Sequence, residues 1–321
     1  MASALALSPT LLPFSRHRRS ILSPAPQNPL LSSIPRPHLL GGGVVSLPLV
    51  PSGRVLWRVR AETPKQEREP MVPPFNVLIT GSTKAERVEL TIKQLREEFG
   101  EKHVWGTVCD VSKGEDVKAL ITFARDKLNY IDIWINNAGS NAYSYKPLAE
   151  TADDDLMEVV TTNTIGVMIC CREAINMMLN QPRGGHIFNI DGAGSDGRPT
   201  PRFAAYGATK QSVVHLTKSL QAELQMQDVK NVMVHNLSPG MVTTDLLMSG
   251  ANTKQAKFFI NILAEPPDVV AENLVPSIRS VPSRQSMRPT YIRFLTGLKA
   301  YSQIFSRLAF GARRNRYVIE D

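Results

Sequence analysis

From Phe75 onward the apolar positions follow two alternating periods. Short runs at 76–80, 103–109, 131–136, 186–190 and 231–237 are separated by longer stretches near 85–99, 115–129, 153–180 and 204–227, where apolar residues recur at helical spacing. Apolar runs this short and rich in Val and Ile are strands buried on both faces, and the stretches between them are amphipathic helices. Strand alternating with helix predicts βαβ units and a doubly wound parallel sheet covered on both faces, in one domain. After Met241 the pattern loosens into a segment punctuated by Pro266, Pro267, Pro276, Pro282 and Pro289, and a last helical stretch runs from about Tyr291 to Phe310.

The chain before Phe75 has a different character. Residues 1–60 contain no Asp, Glu or Lys but seven Arg, nine Ser and nine Pro. An acid-free, Arg- and Ser-rich start reads as an organelle transit peptide, expected here over residues 1–61, and its alternative is a disordered regulatory tail. The apolar run Leu39 to Val50 is twelve residues long, with three glycines and a proline. A spanning helix needs about 20 apolar residues, so this run does not cross a membrane. Residues 62–74 are polar, charged and proline-punctuated, which marks a linker. The leader carries seven of the eight net positive charges, so the remainder is close to neutral. With no zinc-finger spacing and no interleaved basic and aromatic residues, nucleic acid is not an expected partner. Cys109, Cys170 and Cys171 stand apart from any His at metal spacing, which points to reduced thiols and no metal.

The candidate chemistry sits at strand ends. Thr80-Gly81-Ser82-Thr83-Lys84 follows the first strand and opens a helix; glycine at such a turn lets backbone approach a pyrophosphate, whose charge meets the helix N-terminus. Asn136-Asn137-Ala138-Gly139 follows the run at 131–136, Asp110-Val111 closes the run at 103–109, and Ser238-Pro239-Gly240-Met241-Val242-Thr243-Thr244 follows the last run. Tyr206-Gly-Ala-Thr-Lys210 places a phenol and an ammonium at i and i+4 on one helix face. A phenol titrates near 10, so a nearby cation is needed to tune proton exchange with a carbonyl oxygen.

In this order the motifs resemble those of the short-chain dehydrogenase/reductase family, a Rossmann-type fold. The resemblance implies NADPH or NADH as cofactor, bound through Thr80, Gly81, Ser82, Lys84, Asp110, Val111, Asn137, Ala138, Gly139, Tyr206, Lys210, Pro239, Gly240, Val242 and Thr244. It implies a catalytic set of Tyr206, Lys210 and Asn163, the last holding a water that relays protons to the lysine. The family carries a Ser about thirteen residues before the Tyr; that position is Ala193 here, and Ser195 in the loop Asp191-Gly-Ala-Gly-Ser195 is the substitute. Asp191 is an alternative acceptor for substrate or cofactor. One departure stands out. The family's turn reads Thr-Gly-x-x-x-Gly-x-Gly and continues into a second strand, whereas Lys84 here runs directly into the helix beginning Ala85-Glu86-Arg87. The first-helix and second-strand region, some two dozen residues, is missing. The run at 103–109 is then expected to pair directly with the first strand, bringing Asp110 to the ribose position.

The family match covers 75–245, the expected cofactor-binding catalytic domain, with 246–321 as substrate lid and basic extension. Within the family the chain looks most like the chlorophyll(ide) b reductases, through Trp134–Lys146, His186–Ser195 and His235–Leu246. That likeness implies a chloroplast enzyme reducing the formyl group of chlorophyll b or chlorophyllide b. Expected partners are a second copy or a membrane-anchored chlorophyll b reductase, with a peripheral place on the thylakoid membrane or an antenna complex. Two other readings stay open: a catalytically impaired subunit that supports the anchored relative, and a plastid reductase of another carbonyl such as a ketoacyl thioester. Between Glu272 and Glu320 there are nine Lys or Arg and no acid. Tyr291, Phe294, Leu295, Leu298, Tyr301, Phe305 and Leu308 recur there at helical spacing, as in a helix lying on an anionic surface or one packed into the core.

Overall fold

The structure is a computed structural model that describes Met71 and residues 75–81, 85–284 and 288–320. The expected leader (1–61), the linker (62–74) apart from Met71, and Ser82 and Lys84 of the expected cofactor turn lie outside the described residues. Five strands, β1 (Val77–Thr80), β2 (Ile133–Asn136), β3 (Gly185–Ile190), β4 (Val232–Ser238) and β5 (Tyr291–Arg293), form one sheet in that order with every neighbouring pair parallel. The helices are α1 (Ala85–Phe99), α2 (Gly114–Leu128), α3 (Asp153–Val160), α4 (Val167–Leu179), α5 (Ala204–Met226), α6 (Asp245–Met248), α7 (Lys254–Leu263), α8 (Pro267–Ser283) and α9 (Gly297–Phe310).

Apolar side chains alternate between the two faces of the sheet and fill a core on each. Leu78, Trp134, Ile187 and Val234 pack with residues of α2, α4 and α5, among them Val117, Ala174, Met178 and Val213. On the other face Ile133, Ile135, Phe188 and Leu237 meet Val270, Leu274, Ile278 and Val281 of α8. At the C-terminal end of the central strands, Asn136, Asn189 and Asn236 stand in register. The Asn136 amide donates to Asn189 Oδ1 at 2.8 Å and the Asn189 amide to Thr217 Oγ1 at 2.9 Å, which pairs the first two of these buried side chains, whereas Asn236 Oδ1 meets no partner among the described residues.

The expected doubly wound parallel sheet is present, with four corrections. The run 103–109 is not a strand, and among the described residues β1 pairs with β2 alone. Helix α1 captures that segment instead: Arg96 Nε donates to the Val104 carbonyl at 3.0 Å, and Gly106 lies so close to Ile92 that a Cβ would come within 2.4 Å of its Cδ1. β1 is therefore an edge strand. Val77 and Ile79 are 42% and 61% exposed although they are in register with the buried Ile133 and Ile135, and Leu90 and Phe99 of α1 are exposed as well. Second, the proline-rich stretch after Met241 contains α7 and α8. Pro267 begins α8, where no amide donor is required, Pro276 is exposed, and Val270, Leu274, Ile278 and Val281 form one buried stripe. Third, the stretch 153–180 is broken by a π-helical turn at Thr161–Gly166. Fourth, Tyr291 to Phe310 opens with β5. Its helix starts only at Gly297, where Thr296 Oγ1 accepts from the Lys299 amide, and ends at Gly311 in the left-handed region.

Candidate active site

Tyr206 and Lys210 lie one turn apart near the start of α5, and both are buried, each 2% exposed. The turn before α5 is set by close backbone approach. Gly194, at φ +89°, lies against Gly207, where a Cβ would meet the Gly207 Cα at 2.7 Å. Lys210 Nζ donates to the Ile190 carbonyl at 3.1 Å, fastening α5 to the end of β3. Two residues further on, Gly192 meets the phenol: a Cβ there would sit 2.5 Å from Tyr206 Oη. Gly139, after β2, closes the other side, since a Cβ would come within 3.6 Å of Lys210 Nζ and 3.3 Å of Asn163 Oδ1. The Tyr206 hydroxyl itself is buried with no partner among the described residues.

The electrostatics follow from burial. Burial pushes the Tyr206 phenol well above its ordinary value, with Asp191 adding to the rise, so it stays protonated at neutral pH. Burial also brings Lys210 down to about 8, opposed by the Asp191 carboxylate. Asp191 follows β3 with no solvent exposure and accepts from the hydroxyls of Tyr291 and Ser195, the latter at 3.2 Å. Desolvation raises it above the usual carboxylate range, and these hydrogen bonds work in the opposite direction.

The other expected site residues divide. Asn163 occupies the π-helical turn and is fully buried. Its Oδ1 accepts from the Ser140 amide at 2.8 Å, and its amide donates to the Ser140 carbonyl at 2.7 Å and to Thr209 Oγ1 at 3.1 Å. Its side chain thus clamps the segment after Gly139 to α5. Ser195 is bonded to Asp191 and not to Tyr206, and the residue facing the phenol is Gly192, neither Ser195 nor Ala193. Thr80 Oγ1 accepts from the amides of Asn137 (3.2 Å) and Ala138 (3.3 Å), and a Cβ on Gly81 would meet the Asn137 amide at 2.4 Å. The turn after β1 and the turn after β2 are thereby joined in a glycine-lined cradle. Pro239, Gly240 (φ +72°), Val242 and Thr244 form the turn after β4, with Val242 bridged to Glu265. Asp110 departs from expectation. It is exposed, accepts from the Ser112 amide and hydroxyl and pairs with Lys113 at 3.4 Å, while Val111 belongs to the core.

A cavity of about 310 Å³ opens beside Gly192, lined also by Ser195, Ser238, Met241, Tyr291 and Arg293. Three features in this cavity and beyond it were not legible in the sequence. Gly192 lay one residue from the position that counting back from Tyr206 selects. Tyr291 was placed in a helix. The strap formed by the C-terminal residues has no sequence signature: Arg313 and Arg316 bind Glu265, and Asn261 binds the backbone of Tyr317 and Val318.

A parallel doubly wound sheet with a buried phenol and ammonium at its C-terminal end defines a dinucleotide-dependent oxidoreductase. Residues 72–255 match the short chain dehydrogenase model, and the chain belongs to that family. It is 75% identical over 277 residues to chlorophyll(ide) b reductase NOL, chloroplastic, of Oryza sativa subsp. japonica, covering 79% of this chain and 81% of that protein. It is 62% identical over 337 residues to the protein of the same name from Arabidopsis thaliana, covering 96% and 97%. The rice alignment takes in about 254 residues of this chain (79% of 321) across its 277 positions, so about two dozen positions of the relative face no residue here. Among solved structures, a 3-ketoacyl-(acyl-carrier-protein) reductase from Brucella melitensis complexed with NADH superposes with a TM-score of 0.56 at 25% identity, covering 70% of this chain and 87% of that one.

Proposed function

We infer that the chain is a chloroplast enzyme that uses a nicotinamide cofactor to reduce the formyl group of chlorophyll(ide) b to a hydroxymethyl group. The observation that carries this reading is the buried, unpartnered Tyr206 hydroxyl one helical turn from Lys210, in a chain so close to proteins of that name. The residues present fit the nicotinamide end of the cofactor: the absence of a Cβ at Gly81, Gly139 and Gly192 lets these three turns close tightly around Asn137, Lys210 and the Tyr206 hydroxyl. Thr80, Asn137, Gly139 and the Pro239–Thr244 turn would hold it. When bound, the nicotinamide supplies a hydride to the formyl carbon. Tyr206 gives its proton to the formyl oxygen as charge develops there, and the Lys210 ammonium, 5.7 Å from the Tyr206 ring centroid, stabilises the phenolate left behind. Asn163 keeps the Ser140 segment against α5, so Lys210 and Gly139 hold their spacing. Catalytic roles for Tyr206 and Lys210, and a positioning role for Asn163, belong to this proposal.

The same reading places the enzyme peripherally on the stromal side of the thylakoid membrane. Among the described residues no helix is long and apolar enough to cross a membrane. Leu298, Tyr301, Phe305 and Leu308 of α9 form an exposed apolar stripe, as suits a helix lying at a membrane interface or against an anchored partner. A second reading, a cofactor-impaired subunit, is favoured by the open edge of β1. Anaerobic incubation with NADPH and chlorophyllide b, followed by pigment absorbance with Tyr206→Phe as control, separates the two. Conversion by the unaltered chain alone supports the enzyme; no conversion at saturating NADPH supports the impaired subunit.

A further inference from the structure

Lys210 is a buried cation whose hydrogen-bond partner is the Ile190 carbonyl, which neutralises no charge. The next residue, Asp191, is a buried anion with one oxygen, Oδ1, that has no hydrogen-bond partner. Each charge alone would be costly in this corner, because a desolvated ion is tolerated only beside a counter-ion or polar partners. The chain puts both on the same short segment. Ile190 takes the ammonium, Asp191 follows, and Gly192 carries the backbone past the Tyr206 hydroxyl.

The carboxylate is held from outside that segment. The Tyr291 hydroxyl reaches it from β5 and Ser195 from the loop, and Arg293 stacks over the Tyr291 ring at 3.8 Å. Lys210 is otherwise faced by Tyr206 on its own helix and by Gly139 and the uncharged Asn163 from the β2 side, with Glu158 tied one residue further on to Ser140. Ser238, at the end of β4, also contributes to Asp191. Among the described residues Asp191 is the carboxylate that acts on the ammonium.

We propose that Asp191, gripped by the Tyr291 phenol of β5, is the counter-charge and positioning group of Lys210, so that the last strand of the sheet sets the protonation state of the lysine. Burial and Asp191 are the two opposed influences on Lys210, and removing the second leaves the first unopposed. The proposal rests on the active-site reading above, but its test does not require turnover. Lysine labelled with ¹³C at Cε reports deprotonation directly by NMR, with the Lys210 signal assigned by its loss in Lys210→Arg. In the unaltered chain the midpoint should lie near 8. Asp191→Asn should lower it by about 1 pH unit or more. Tyr291→Phe, which keeps the carboxylate but loses its donor, should lower it by less, and Asp196→Asn, on the exposed side of the same loop, should leave it in place. An unmoved midpoint in Asp191→Asn overturns the proposal. A shifted midpoint in a chain that reduces no chlorophyllide b would uphold it and count against the proposed substrate instead.

Discussion

Replacing Tyr206 by Phe separates stability from chemistry, because the two should move in opposite directions. The hydroxyl is buried and meets no acceptor or donor among the described residues, while its ring packs in the cluster of Phe203, Leu246, Ile260 and Leu263. Leaving a polar group unsatisfied costs about 1–3 kcal/mol, and Phe keeps the ring while removing that cost. The variant should therefore be at least as stable as the parent and as much as about 2 kcal/mol more so, an upper limit that for a domain of this size raises Tm by about 4–8 °C. Loss of the proton donor should lower turnover by about 10²- to 10⁴-fold. Calorimetry, nicotinamide fluorescence titration and pigment absorbance read stability, binding and turnover on one preparation. A Tm several degrees below the parent would show that the hydroxyl carries a structural hydrogen bond, and near-normal turnover would remove Tyr206 as the acid.

Gly192→Ala should keep the fold, since its backbone is not in the left-handed region, but push the phenol aside and cost most of the turnover; activity at the parental level would mean that the phenol has room to move. Turnover should fall as pH rises through about 8, where Lys210 loses its proton, and a basic limb that begins a full unit higher would count against the lysine as the titrating group. Acid should destabilise the fold through the buried pair His186 and His235, whose rings meet at 3.0 Å between Nδ1 and Nε2 and whose values are brought down to about 4 and about 3 by burial. Their folded values lie below the unfolded value near 6.5, so the unfolded chain binds more protons. Stability is then intact above about pH 6.5 and drains away as pH falls towards 4. At about 1.4 kcal/mol per unit, His186 alone accounts for on the order of 3 kcal/mol. A His186→Gln variant with an unchanged acid unfolding profile would refute this.

The sequence was legible where a local pattern decides the structure. β2, buried at all four positions, is a run of Ile, Trp, Ile and Asn that suits no helix face, and the Tyr206–Lys210 spacing needs only one turn of α5 to bring the pair together. It was not legible where the outcome depends on a partner. The apolar run at 103–109 has the composition of a strand, yet it leaves the outer edge of β1 open and is held by Arg96 and Ile92 of α1 instead. In α8 two internal prolines argued against a helix, and a four-residue apolar stripe facing β2 and β3 outweighed them. Asn163 was picked out by the family resemblance, yet its bonds to Ser140 and Thr209 become visible only once the turn after β2 and α5 are side by side. Tyr291 read as the start of a helical stripe, because nothing in its surroundings announces a phenol on a strand reaching a carboxylate a hundred residues away.

The site residues are distributed so that binding and chemistry can fail separately. Gly139, Asn163, Asp191, Gly192, Tyr206 and Lys210 are carried by β2, β3, α5 and the turn before α4, all within the part of the sheet that is paired and covered on both sides. None depends on the outer edge of β1, where Val77 and Ile79 lie uncovered. In the family pattern that edge belongs to the strand whose end reads the adenosine ribose, and Asp110 does not replace it, being held in its own turn by Ser112 and Lys113. A defect confined to the adenosine end weakens ground-state and transition-state binding alike, so it should raise the KM for NADPH while leaving kcat at saturation intact. Inserting the missing segment after Lys84 should then lower the KM and the Kd measured by nicotinamide fluorescence together, cover Val77 and Ile79, and raise Tm. An equal Kd with and without the segment would mean that this chain holds the adenosine end by groups outside the family pattern; a rise in kcat without a change in KM would mean that the missing strand supports the catalytic residues after all.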